Sequence, residues 1–355
     1  MWAVLPGTGF VKGRGMGALP PIERFESSSG ARIYRIPVQA FEPLLAYCYV
    51  ILDAGPPTLV DTGSGFGDSN AHLLAGIQAL RDDFGEPLAV TDIERVLITH
   101  GHIDHFGGAA FIIAQSGGAA VGIHELDRRI LMNYEERVIV ATKDVSIYLE
   151  RAGVSERLRD SLIEMYGFGK QHFSSVAVSF NLDEHTPLDG MEFIHTPGHC
   201  SGQVCIRLGD VLLSADHVLS RTTPNQAPES ITHYTGLGHY LDSLYKVARI
   251  DGIRLALGGH EDPMPDVYER IIAIRASHQR KLERILDIVR EASAPPTISE
   301  ISKAMYPDLH GYDVLLALSE VGAHVEYLYE RGRLAVHNLS EVEQPGNPAL
   351  RYEVV

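Results

Sequence analysis

The chain has 355 residues, 45% of them apolar, and a formal net charge of −16. This length and apolar fraction provide for one large core with a smaller second domain, and exclude a disordered or fibrous protein. The acidic balance works against nucleic acid or an anionic membrane as whole-molecule partners, no stretch approaches the roughly 18 continuous apolar residues of a membrane span, and three cysteines without CxxC spacing argue against a disulfide framework.

Residues 1–29 are glycine-dotted, lack the compact apolar block of an export signal, and read as an irregular N-terminal extension of a cytoplasmic protein. Strands follow at Arg32–Val38, Tyr47–Leu52 and Thr58–Val60, where β-branched and apolar residues alternate or run together. A helix is expected from Ala71 to Phe84, a buried strand at Arg95–Thr99, a helix from Gly108 to Ser116 and a strand at Ala119–His124. Residues 125–173 turn charged with helical spacing and read as a helical insertion near the metal edge, either a wall or lid into which Tyr134, Tyr148 or Tyr166 reaches or a segment whose tyrosines pack it onto the core. Strands at Phe193–Thr196, Val211–Ala215 and Leu255–Gly258 follow, with a loop from Thr222 to Tyr240 whose His233 and His239 read as packing residues.

From residue 271 the pattern changes to long helices, with Ile271, Ile274, His278, Leu282, Ile285 and Val289 on one apolar face. Pro295-Pro296 ends it. A short helix opens on Thr297 with Glu300 completing a capping box, and a longer one runs from Tyr312 or Asp313 toward Tyr329 before a turn and strand. That order resembles a winged helix over residues 271–340, leaving 341–355 as a tail. Between Ser277 and Asn338 acids outnumber bases by two, and Asp313, Glu320 and Glu326 fall on the would-be recognition helix, so phosphate contact along it is penalised. Packing, substrate shaping or homodimer formation is the expected use of this region.

The chemistry concentrates in Thr99-His100-Gly101-His102-Ile103-Asp104-His105, four metal-capable side chains within six residues on a loop between strand and helix. Alternation aims His100 and His102 the same way, while Asp104 and His105 face a second point nearby, so one loop can serve two cations. Imidazole with carboxylate and no thiolate suits zinc, iron or manganese with open coordination positions. Further strands each end in a ligand-type residue, namely His199 after Pro197-Gly198, Asp216, and His260 after Gly258-Gly259. Cys200 beside His199 reads as a small buried packing residue.

HGHIDH, TPGHCSG, SADH and GGHED in this order resemble the signature of the metallo-β-lactamase-fold hydrolases over roughly residues 30–270. The resemblance implies an α/β fold, the αββα sandwich with both mixed sheets face to face. It also implies two divalent ions, zinc foremost: one held by His100, His102 and His199, the other by Asp104, His105 and His260, with Asp216 bridging. Asp61, in Thr58-Leu59-Val60-Asp61-Thr62-Gly63, resembles the acid that orients a ligand histidine. A bridging hydroxide would be the nucleophile, with Asp104 holding its lone pair toward the substrate. His105 is similar to the pattern of glyoxalase II and the processing nucleases, whereas zinc β-lactamases lack histidine there and flavodiiron proteins carry glutamate where His102 stands. The C-terminal region resembles the β-lactamase-like-protein-2 branch. The expected activity is hydrolysis of a small ester or thioester; a phosphodiesterase or single-strand endoribonuclease, and a non-catalytic DNA-binding regulator, are the competing readings.

Overall fold

The computed structural model describes residues 19–167 and 173–355. Strands β1 (Glu23–Glu26), β2 (Arg32–Phe41), β3 (Leu44–Leu52), β4 (Thr58–Val60), β5 (Arg95–Leu97), β6 (Ala120–Ile123) and β7 (Phe180–Asn181) make a seven-stranded sheet in that order. It is antiparallel from β1 to β4 and parallel from β4 to β7. Strands β8 (Met191–His195), β9 (Val204–Leu208), β10 (Val211–Ala215) and β11 (Leu255–Gly258) form a four-stranded sheet in which β10 and β11 are the parallel pair. A separate antiparallel ribbon joins β12 (Leu334–Val336) to β13 (Tyr352–Val354).

The helices are α1 (Ser69–Asp82), α2 (Ile103–Phe106), α3 (Ala109–Ser116), α4 (Glu125–Met132), α5 (Tyr134–Arg151), α6 (Glu156–Gly167), α7 (Leu237–Ala248), α8 (Val267–Glu291), α9 (Ile298–Met305), α10 (Tyr312–Glu330) and α11 (Leu339–Val342). The start of α9 carries the expected capping box: the Glu300 N–H donates to Thr297 Oγ1 at 3.2 Å, and the Thr297 N–H donates to Glu300 Oε2 at 2.7 Å.

Side-chain alternation along β3 explains the layering. Tyr47, Tyr49 and Ile51 enter one buried cluster with Phe193, Ile206 and Leu213 of the second sheet, while Ala46, Cys48 and Val50 enter another with Leu73 and Ile77 of α1 and Ile112 of α3. A third cluster covers the outer face of the second sheet, joining Ile194, Cys205 and Leu212 to Val145 and Leu149 of α5, Ile271 and Ile274 of α8, and Leu318 and Val325 of α10. Two mixed sheets thus face each other with helices outside both.

Some expectations need correction. Residues 1–18 of the expected extension lie outside the described residues, and of the remainder Glu23–Glu26 is a regular edge strand paired with β2 rather than irregular chain. Residues 168–172 at the end of the expected insertion also lie outside. The apolar stripe of α8 takes the packing role, the first of the uses expected of this region, with Ile271, Ile274, Leu282 and Ile285 buried within their own chain and each at most 6% exposed.

Candidate metal centre

The site assembles where the ends of β4, β5, β8, β10 and β11 meet. At the end of β4, Asp61 adopts a left-handed φ of 59°, a backbone state that a non-glycine residue rarely takes without a local reason. Its carboxylate supplies the reason: Oδ1 accepts from the Thr99 N–H at 2.8 Å, and Oδ2 accepts from Thr99 Oγ1 at 2.8 Å and lies 2.7 Å from His105 Nδ1. Asp61 therefore ties the β5 loop down and turns His105 Nε2 away from itself.

Asp104 and His105 do not lie on a loop as expected; they stand on α2, a single turn whose N-cap is His102. That turn is anchored through the Thr62 N–H to the His105 carbonyl at 2.7 Å and the Gly108 N–H to the Gly63 carbonyl at 3.1 Å. A Cβ at Gly107 or Gly108 would run into the Ser64 or Thr62 carbonyl, so these glycines permit the approach.

The structure brings together all seven residues named as ligands in the sequence. Ligand-type atoms of His100, His102 and His199 lie within 4.8 Å of one another, as do those of Asp104, His105 and His260, and those of His100, His105 and Asp216. Asp216 touches both groups: Oδ1 is 3.5 Å from His105 Nε2, and Oδ2 is 3.7 Å from His199 Nε2 and 3.3 Å from His260 Nε2. Asp104 Oδ2 lies 3.3 Å from His260 Nε2 and 3.9 Å from His105 Nε2.

The far nitrogens of the rings are engaged from behind. His199 Nδ1–H donates to the Asn225 carbonyl at 2.8 Å, and His260 Nδ1–H donates to the Leu45 carbonyl at 2.6 Å, which aims each Nε2 at the centre as the nitrogen available to a metal. Six buried atoms at the centre, both oxygens of Asp104, Asp216 Oδ1 and Nε2 of His105, His199 and His260, have no hydrogen-bond partner. Each such atom costs about 1–3 kcal/mol if left unsatisfied. Converging carboxylate oxygens and imidazole nitrogens are what a pair of divalent cations requires, so the donor set fits the implied metals.

Electrostatics agree. Burial lowers His100 and His199 and takes His102 down to about 3, keeping them in the neutral ligand form. Burial would do the same to His260, but the carboxylates of Asp216 and Asp104 outweigh it and push His260 up to about 10. The Asp104–Asp216 side thus carries excess negative charge, for which protons and divalent cations compete.

Asp127 was not singled out in the sequence. Buried at the start of α4, it accepts from the Gly101 N–H at 2.8 Å and the Gly202 N–H at 2.9 Å, clasping the His102 and His199 loops together. A first-turn acid is too common a helix feature to mark this role in advance. A Cβ at Gly202 would come 2.7 Å from Asp127 Cγ, which explains the glycine. His233 and His239 stand apart from the ligand groups, and His239 Nε2 is 3.1 Å from Glu229. Another buried group, His278, Glu320 and His324, joins α8 to α10, but Lys281 Nζ donates to Glu320 at 2.6 Å and already supplies the cation.

The family model of the metallo-beta-lactamase superfamily matches residues 42–286. The chain is 21% identical over 290 residues to the probable metallo-hydrolase YqjP of Bacillus subtilis (strain 168), covering 76% of this chain and 84% of that protein. Among solved structures, the metallo-beta-lactamase family protein TTHA1429 from Thermus thermophilus is 27% identical at a TM-score of 0.72, over 91% of this chain and 98% of that one. A beta-lactamase domain protein from Burkholderia ambifaria is 21% identical at a TM-score of 0.71, over 94% of both chains. With the family match spanning more than half of its residues and a buried His/Asp cluster at the strand ends, the chain belongs to the metallo-β-lactamase superfamily and is a metal-dependent hydrolase.

Proposed function

We propose that the chain hydrolyses a small ester or thioester at a two-cation centre, with His100, His102 and His199 holding one ion, Asp104, His105 and His260 the other, and Asp216 between them. The convergence of six unsatisfied buried donor atoms on one point carries the reading. Cations held there supply Lewis acidity to the scissile carbonyl and bring the pKa of water from 15.7 toward about 7. The protein's own part is placement. Asp61 and the Leu45 and Asn225 carbonyls orient three imidazoles, Asp127 sets the spacing of two loops, and Asp104 accepts a hydrogen bond from the attacking water and directs its lone pair.

The donor set favours zinc and admits iron or manganese. His105 and the C-terminal helices favour the glyoxalase II-like and β-lactamase-like-protein-2 branches, and the helix, helix, ribbon order from α9 to β13 supports a winged-helix-like C-terminal unit that begins near 271 and, through β13, takes in the segment 341–355 expected to be a tail. The regulator reading lacks a free recognition helix: Leu315, Leu318, Val321, Val325 and Leu328 of α10 are buried, and Glu320 and Glu326, expected to repel phosphate, are instead engaged inside the molecule. Glu326 accepts from the Glu229 N–H at 2.7 Å and the Ser230 N–H at 3.2 Å. No described helix is long and apolar enough to cross a membrane, and three free, buried cysteines suit the reducing cytoplasm.

Metal analysis of the purified protein should give about two ions per chain, with loss of binding in His102→Ala and Asp216→Ala. Thioesters, esters, lactones, bis-p-nitrophenyl phosphate and short RNA then sort the reaction class; turnover of RNA or the phosphodiester alone would replace the ester reading. Asp104→Asn should lower kcat by about 100-fold or more while changing KM little, as a general-base or positioning loss does. An unchanged kcat with both ions retained would remove Asp104 from the chemistry.

A further inference from the structure

Beside His102 and His199 opens a cavity of about 760 Å³, within the range of sites that enclose a whole small ligand. Its far wall is built by the helical insertion and the C-terminal helices: Val138, Ala141 and Val145 face it from α5, Leu315 and Leu316 from α10, and Phe173 closes one side. The α5 positions recur at helical spacing, so a continuous apolar stripe of that helix faces inward. Among the described lining residues Arg137 is the one Lys or Arg, against the carboxyl groups of Glu42, Asp127 and Glu164, and its hydrogen bond to Thr232 Oγ1 is 3.4 Å long. A polyanionic chain needs several phosphate-binding cations, and this wall does not provide them. Asp127, also at the lining, is occupied by the Gly101 and Gly202 amides.

Resting on the ester or thioester reading above, we propose that the substrate carries an extended apolar acyl chain that lies in this cavity with its carbonyl at the metal centre. Continuity of the cavity with His102 and His199 places the reacting carbon at the ligands, and the lining beyond them offers chiefly aliphatic and aromatic contact. Burial of each methylene contributes about fourfold to transition-state binding until the space is filled.

A series of p-nitrophenyl esters and acyl thioesters from butanoyl to dodecanoyl tests this on the metal-loaded protein. We expect kcat/KM to rise at least about 100-fold from butanoyl to decanoyl, and Ala141→Phe, which fills the cavity, to move the optimum to shorter chains. Titration calorimetry with decanoate and butanoate provides the second readout. The two share one carboxylate, so their difference reads the chain alone, and decanoate should bind at least about tenfold more tightly. Hydrolysis with no length preference overturns the proposal whatever calorimetry gives. If no ester or thioester of any length is hydrolysed, the ester reading falls by itself, and calorimetry decides the cavity: equal binding of the two acids overturns the acyl site, and tighter decanoate binding supports it.

Discussion

At the scale of single residues, the ligand cluster depends on groups that lie outside it. Asp61 receives three hydrogen bonds, two from Thr99 and one from His105, and holds an unfavourable backbone angle to do so. Removing such a partner typically costs 10–100-fold in metal affinity or activity. Asp61→Ala should therefore lower affinity for one of the two ions by that factor in a competition titration, with the fold retained by circular dichroism. Gly259 makes a sterically sharper case. A Cβ there would lie 2.5 Å from both Asp216 Oδ1 and His105 Cε1. Gly259→Ala should displace those two groups, and metal analysis should find fewer than two ions per chain in a protein whose far-UV spectrum is unchanged.

At the scale of elements, α10 shows how a helix remote in sequence supports the site. Its Glu320, 1% exposed, accepts from Lys281 Nζ on α8 at 2.6 Å and from the Gln226 N–H at 2.7 Å, next to the Asn225 carbonyl that receives His199. Burial alone would raise this carboxyl, but the Lys281 ammonium outweighs it and holds Glu320 at about 2. Moving a carboxyl from 4.5 to about 2 corresponds to about 3 kcal/mol of stability at neutral pH. Because the folded value lies below the unfolded one, that contribution is complete above pH 4.5 and is lost as pH falls toward about 2. Glu320→Gln should thus lower the urea midpoint at pH 6, and its gap from the parent protein should narrow below about pH 4.5. His278 and His324 are held neutral by burial in both proteins and largely cancel in that difference.

At the scale of the whole molecule, the C-terminal helices are not an appendage with a core of their own. One buried cluster runs from Ile194, Cys205 and Leu212 of the second sheet through α5 and α8 to Ile301, Leu315, Val325 and Tyr352. Cutting the chain after Ala294 would uncover the outer face of the second sheet and one wall of the cavity beside His102. The truncated protein should be insoluble or lack a cooperative thermal transition, whereas the full chain should unfold in one calorimetric transition. Two well-separated transitions would assign the C-terminal helices an independent core.

Much of this was legible beforehand because its signals are local. Alternation in β2 and β3, the Thr297–Glu300 capping box and the density of ligand-type residues in HGHIDH each need only a few neighbouring positions to be read. The order of the motifs likewise carried the family. What the sequence left undetermined depends on contacts between distant segments. Asp127 looks like any first-turn acid until the Gly101 and Gly202 amides converge on it, and Glu320 looks like a solvated charge until α10 turns it toward Lys281 and Gln226. The α8 stripe was readable as apolar, but whether a second chain or its own sheet covers it is settled only by packing. Local patterning specifies which side chains can do chemistry; the tertiary fold decides which backbone amides, carbonyls and counter-charges surround them, because those partners lie tens to hundreds of residues away along the chain.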